Sequence, residues 1–348
     1  MARPFCTAPK RTLPSSAMSP EQRQTGFTLT ELLVGMSLLA AVMTIAFSMF
    51  QSSNQLVESD TSRIMAAQNA QTALDIMTND LRQAGENLAS IRLPVSGVEF
   101  NNANQKLIVR RGIAPMSAGQ VGTATDLISQ RPQALSVCKA IDNRVQVIGP
   151  TPAGDTPSRC LYRGVSGAGT SGDDVQVRPW RVFFASQGNA YQAALLYRPA
   201  GNGLLAAFAP VVVQTISGVS NNTDATKRVV ELVLAGNVPA GFSSTNGSQI
   251  ILIDQRRYWV ADNQLKLAVA GEKDADAQTV AFDIDSLTLS ATVTNSSTAV
   301  NALAIDGPWN RVKTIVAALK ARNPSQGKAN TRTFQSTIYP RNVASESR

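Results

Sequence analysis

Residues 23–51 read "RQTGFTLTELLVGMSLLAAVMTIAFSMFQ", and between Phe27 and Phe50 the only formal charge is Glu31. As a helix rising 1.5 Å per residue this run spans roughly 36 Å, enough to cross a bilayer core with some tilt. Upstream, Arg3, Lys10, Arg11 and Arg23 outnumber Glu21, while the downstream flank carries Glu58, Asp60 and Arg63. That Lys/Arg bias places the N-terminus in the cytoplasm and the rest of the chain outside it. A secretory signal peptide would have a shorter apolar core and a small-residue cleavage site, whereas this run continues into further helical sequence. A plain single-span anchor fits the length but leaves Glu31 without a reason, because a carboxylate costs about 2.5–3.5 kcal/mol at the centre of a membrane helix and less near its end.

The continuation is amphipathic. Ala67, Ala70, Leu74, Met77, Leu81, Ala84 and Leu88 follow steps of three and four, and Asp75, Asp80, Arg82 and Glu86 fall off that stripe. No proline occurs between Phe27 and Leu88. The pattern predicts one helix of about 60 residues, close to 90 Å long, bare in its first half and packed in its second. Its alanine content suits close packing on the chain's own sheet better than a coiled-coil dimer. Gly85, Asn87 and Pro94 supply the stop.

Beyond residue 91 the composition turns β-branched and partly alternating. "KLIVRRG" (106–112), "NRVQVIGP" (143–150), "DDVQVRPWRVFFAS" (173–186), "RVVELVLAG" (228–236), "QIILIDQRRYWVADNQLKLAVAG" (249–271) and "TVAFDIDSLTLSATVTN" (279–295) read as strands separated by Gly, Asn, Asp, Ser and Pro. Asp262-Asn263 marks a hairpin tip. Pro, Gly and Ser concentrate between Thr151 and Asp174, which predicts long loops there. The fold class expected is α+β: a long N-terminal helix on a large antiparallel β-rich domain. The divisions are 1–26, a basic leader; 27–50, the apolar half of the helix; 51–90, its amphipathic half; and 91–348, the globular part, as one domain or two subdomains.

The residues "GFTLTELLVG" (26–35) behind a basic leader resemble the N-terminus of the type IV prepilin family of pilins and type II secretion pseudopilins. The resemblance implies cleavage after Gly26 by a membrane prepilin peptidase, N-methylation of Phe27, and retention of the apolar helix. It also implies that Glu31 attracts the Phe27 amine of a neighbouring subunit. Such pairing offsets the desolvation of a lone carboxylate, and it favours subunits that align amine with carboxylate over those that slip. "DLRQAGENL" (80–88), "RRYWVADNQLKLAV" (256–269), "VAFDIDSLTLSATV" (280–293), "PWNRVKTIVAALKARNP" (308–324) and "TFQSTIYPRNV" (333–343) are similar to PilW minor pilins and less closely to GspJ pseudopilins. Residues 91–249 carry no such similarity. Thr30 stands where an apolar residue often precedes the Glu, and the helix lacks the kinking Pro of many major pilins, which fits a minor subunit.

The resemblance therefore implies an inner-membrane protein with its globular part outside the cytoplasm, later assembled into a pilus. Its implied partners are other minor and major pilins through the helix, the prepilin peptidase, the inner-membrane assembly platform, and a tip adhesin. The alternatives are a type II secretion pseudopilin and a membrane-tethered ligand- or DNA-binding domain that never polymerises.

Composition shortens the list of other functions. The 348 residues contain no histidine, which removes Ser-His-Asp and Cys-His nucleophiles and His-ligated metals, so a non-enzyme without a cofactor is expected. "GNGLLA" (201–206) matches a dinucleotide fingerprint but has Pro210 and a Val run where a helix should follow, and "SQGKAN" (325–330) lacks the essentials of a P-loop. Glu272, Asp274 and Asp276 alternate in "EKDADAQ" and form a weak Ca²⁺ candidate without the EF-hand spacing. Asp283 and Asp285 read as the polar face of a strand. Cys6 falls in the leader; Cys138 and Cys160 remain, and an even pair in an exported domain suggests a disulfide contributing about 3 kcal/mol by loop-closure entropy.

Net charge is +8, and the four positives and one negative of residues 1–26 leave +5 on the remainder. Arg256, Arg257, Tyr258 and Trp259 form a basic-aromatic run of the kind that contacts single-stranded DNA, although scattered basic residues are more commonly a solvated surface.

Overall fold

The computed structural model describes residues 26–88, 95–113, 132–149, 158–161, 174–188, 190–199, 205–219, 227–294, 296, 298–323 and 330–342. Two compact units divide between Glu58 and Ser59. The first unit is the opening of α1 (Leu29–Gln83). Every large apolar side chain from Phe27 to Phe50 is exposed there. A helix that is apolar all round belongs in lipid or among other apolar helices. Its hydroxyls are satisfied locally: Ser37, Thr44 and Ser48 donate to the carbonyls of Val34, Ala40 and Ile45, each at 2.8 Å.

In the second unit α1 buries Ala66, Ala70, Ala73, Leu74, Met77 and Leu81. Ala70 and Ala73 have no exposed surface, as small residues allow the helix backbone to approach the sheet closely. Ala67, assigned to the stripe from its spacing, is half-buried, with Ala66 taking the inner position. The helix stops at Gln83, where Gly85 (φ 76°) and Asn87 (φ 61°) adopt the left-handed backbone. Pro94 and most of the predicted loop region 151–174 lie outside the described residues.

The strands are β1 (Val98–Asn101), β2 (Lys106–Gly112), β3 (Leu135–Ser136), β4 (Lys139–Ile141), β5 (Arg144–Ile148), β6 (Gln192–Pro199), β7 (Leu205–Val219), β8 (Val229–Leu234), β9 (Gln249–Ala261), β10 (Gln264–Val269), β11 (Gln278–Phe282), β12 (Ile284–Val293), β13 (Ala302–Leu303), β14 (Val312–Asn323) and β15 (Asn330–Ile338). All pairings are antiparallel. The main sheet runs β13-β1-β2-β9-β6-β7-β8-β5-β4, with β10 pairing β9 and β11, and β3 pairing β9; β12-β14-β15 forms a separate sheet.

Strand β9 joins two apolar cores. Its second half pairs with β2 and β10 and contributes Tyr258 to a core shared with α1, β1, β12 and β14. Its first half pairs with β6 and sends Ile250 and Leu252 into a core with β3, β5, β8 and the helix α2 (Val177–Ser186). Ile251 faces a third cluster with Val95, Leu195 and Tyr197, which explains the unbroken apolar run: this half is covered on both faces. The expected hairpin tip forms between β9 and β10, where Asp262 (φ 52°) and Asn263 (φ 56°) are both left-handed, as a type I′ turn requires.

One predicted strand is instead α2. In "VRPWRVFFAS" the buried Val177, Trp180 and Phe184 recur at steps of three and four, and Pro179 sits in the first turn, where its missing N–H is harmless. Trp180 is fully buried and its Nε1 donates to the Gln133 carbonyl at 2.7 Å. The last two residues of "GNGLLA" already belong to β7, which pairs antiparallel with β6, so the segment leads into a strand and not a helix. Pro210 is accommodated because β8 pairs with β7 only from Val213 onward.

Candidate functional site

The helix start is organised around Thr28. Its hydroxyl accepts the Glu31 backbone N–H at 3.3 Å, and the Glu31 carboxylate accepts from the Thr28 backbone N–H at 3.4 Å and from the Thr28 hydroxyl at 3.3 Å. This is a reciprocal capping box, with Thr28 before the first turn and Glu31 at its third position. Thr28 therefore holds the one acid of the span at the helix end, where the helix dipole also favours negative charge. The Thr-x-x-Glu spacing was visible in the sequence and was not read there. Gly26 and Phe27 lie just before the helix and are exposed, Phe27 at 84 %.

A second polar constellation fastens the other end of α1. Asp80 was expected on the solvent side of the helix; it is buried at 5 % exposure. Its two carboxylate oxygens accept Arg256 Nη1 at 2.8 and 3.0 Å, and one also accepts the Tyr258 hydroxyl at 2.5 Å. Burial pushes the Arg256 guanidinium down, and the Asp80 carboxylate, helped by Asp254, more than reverses this to leave it raised. Burial first, and then the Asp80 charge, holds the Tyr258 phenol far above its ordinary range. Beside them, Arg110 donates to Glu99 at 2.6 Å and to Gln255 at 3.0 Å, with burial pulling its pKa down against the raising effect of Glu99. Arg111 bonds Asp254 at 2.6 Å and also reaches Gln83 of α1. Charged side chains of β2 and β9 thus grip the end of the helix through Asp80 and Gln83.

These bonds divide the basic-aromatic run considered for a DNA contact between two faces of β9. Because side chains alternate along β9, Arg256 and Tyr258 face α1, and Arg257 and Trp259 point the other way. Arg257 bonds Asp274 at 2.5 Å and the Glu272 carbonyl, while Trp259 is half-buried, opposite Lys106 and Lys266 in register. The four residues share no surface. Of the Ca²⁺ candidate residues, Glu272 accepts the Val269 N–H at 2.9 Å, Asp274 is bound to Arg257, and Asp276 is exposed. Among the described residues no three acidic or cysteine side chains converge as metal ligands. Asp283 is left-handed (φ 60°) at the β11–β12 junction, and Asp285 pairs with Lys320 at 3.0 Å.

Cys138 and Cys160 form a disulfide with a Cα–Cα distance of 5.7 Å. It ties the residue just before β4 to a short 3₁₀ turn (Ser158–Cys160), with Cys160 fully buried.

The "LRQAG" signature also gains a physical reason. A Cβ on Gly85 would stand 2.7 Å from Trp309 Nε1, and one on Gly97 would meet both Gly85 and Trp309 at under 3 Å. Gly85 lets the chain leave the helix beneath the indole.

Residues 22–47 match the family model for the prokaryotic N-terminal methylation motif. Comparison with curated proteins and with solved structures returns no match. The motif and the exposed apolar helix support a type IV pilin-like protein, anchored in a membrane and associated with a pilus or pseudopilus. A protein with this motif interacts in general with other pilins and with the prepilin peptidase.

Proposed function

We propose that this protein is a PilW-type minor pilin without enzymatic activity. It would insert in the inner membrane with its N-terminus in the cytoplasm, be cut after Gly26 and methylated on Phe27, and enter a type IV pilus through its Phe27–Phe50 helix. There it would help prime assembly or sit near the tip, with the β-rich domain meeting other minor pilins and a tip adhesin. The observation that carries the reading is the methylation motif at residues 22–47, set in a helix that exposes every large apolar side chain from Phe27 to Phe50. Such a surface needs lipid before assembly and neighbouring helices after it. Absence of a kinking proline and the large β domain support a minor subunit over the bulk component.

In this reading Glu31 has two successive partners. In the free subunit Thr28 and the first helical turn hold its charge; in the filament a neighbour's Phe27 ammonium takes that place and sets the axial register. Deleting the gene tests the proposal against the pseudopilin alternative. Loss of surface pili and of pilus-driven motility with normal protein secretion is expected. Intact pili with exoproteins retained in the periplasm would transfer the protein to the secretion machinery.

A further inference from the structure

A cleft of about 280 Å³ lies between α1 and the three-stranded sheet, lined by Arg63, Ala66, Ala67, Arg322, Thr331 and Arg332, among others. Three guanidinium-bearing residues and no carboxylate line it. Arg63 touches Asp60 at 3.6 Å in a largely exposed pair, which is weak at such exposure. Among the described residues no carboxylate reaches Arg322 or Arg332, and Arg332 lies over the Phe334 ring at 5.5 Å. The larger cleft, of about 600 Å³, differs: its Asp254, Arg256 and Glu272 are all bonded within the chain. Like charges gathered around an alanine-lined hollow repel one another, and an incoming anion relieves that repulsion.

The same cleft opens onto an unpaired sheet edge. Thr331, Arg332 and Phe334 belong to β15, which terminates the β12-β14-β15 sheet and, among the described residues, pairs with β14 alone. Along β15, Thr331, Arg332, Thr333, Gln335 and Thr337 are exposed, and the strand contains no proline or lysine. Native edges are ordinarily blunted by such residues or covered by another element. The backbone donors and acceptors of β15 are therefore available to an added strand, and the cleft beside its first residues selects for negative charge.

We propose that β15 receives an extended segment of a partner protein as a fourth strand, with an Asp or Glu of that segment seated in the cleft against Arg63 and Arg332. The backbone ladder supplies length and direction, and the carboxylate supplies register and selectivity. This goes beyond the pilin reading and does not depend on it.

The test is site-specific photocrosslinking of the full chain in its native envelope, with a photoreactive residue at Thr333 or Gln335 and a control at exposed Lys139 on β4. Adducts are digested and identified by mass spectrometry, and the same probes are repeated in an Arg63→Gln/Arg332→Gln variant. Expected is an adduct to one partner segment containing Asp or Glu, absent from the control site and reduced about fivefold or more in the arginine variant, the scale of losing two exposed charge pairs. Arg332→Lys should keep most of the yield, and the variant's thermal midpoint should match the wild type, separating charge from folding. Adducts to lipid only, equal yields in the arginine variant, or no adduct at either β15 position would overturn the proposal.

Discussion

Replacing Asp80 by Asn tests whether the second half of α1 is fastened to the sheet by charge as well as by apolar packing. The substitution keeps the side-chain volume and an oxygen that accepts from Tyr258. It removes the charge that faces Arg256 at 2.8 and 3.0 Å. Breaking a fully buried pair costs about 3–5 kcal/mol. Arg256 has 31 % of its side chain exposed, so water partly compensates and about 2–3 kcal/mol is expected. For a domain of this size each kcal/mol moves the melting midpoint by about 2–4 °C, which predicts a fall of roughly 4–12 °C. Thermal unfolding of the full chain in detergent, with the disulfide intact, reads this directly. A double-mutant cycle with Arg256→Gln isolates the pair, and a coupling of about 1–3 kcal/mol is expected. Coupling below about 0.5 kcal/mol, together with an unchanged midpoint in both single variants, would show that the clamp is ornamental and that apolar packing alone holds the helix.

Three further outcomes follow from the same geometry. Glu31→Gln preserves the Thr28 capping box and removes the charge, so membrane insertion and leader cleavage should be normal while incorporation into filaments drops; equal incorporation, measured by immunoblot of sheared fibres, would remove the register argument. Gly85→Ala combines a left-handed backbone (φ 76°) with a Cβ 2.7 Å from Trp309, and should destabilise by about 2–4 kcal/mol in denaturant unfolding, against only about 1 kcal/mol from the backbone if the indole simply moves aside. Burial raises Tyr197 to about 12 and holds Tyr258 higher still, so the folded protein keeps protons that the unfolded chain loses above pH 10; stability is intact below that point and should fall by up to about 2.7 kcal/mol per pH unit above it. Phenolate absorbance rising before the unfolding transition at both residues would contradict this.

The helix was legible because its signals are local: an apolar run without proline, a stripe at steps of three and four, and Gly85 with Asn87 at the stop. The Asp-Asn tip between β9 and β10 was equally local, since two left-handed residues need those side chains. Asp80 was misread for the opposite reason. Its partners, Arg256 and Tyr258, lie 176 and 178 residues away, and a helical wheel cannot show that a sheet will present an arginine to its flank. Period-two alternation did carry a usable hint, because Arg256 and Tyr258 must share one face of β9 while Arg257 and Trp259 share the other. The α2 segment was misjudged on composition: Val, Trp and Phe favour strands in general, but Val177, Trp180 and Phe184 carry a helical period. Of the candidate site, Gly26, Phe27 and Glu31 were assigned by motif, and Thr28, whose spacing to Glu31 was in plain view, was passed over.

Most direct of all is the chemistry of the mature N-terminus. Protein recovered from sheared surface fibres should begin at Phe27 with a methylated amine, its mass lacking residues 1–26. Full-length protein in the membrane fraction, with residues 1–26 still attached to Phe27 and nothing in the fibres, would contradict the account.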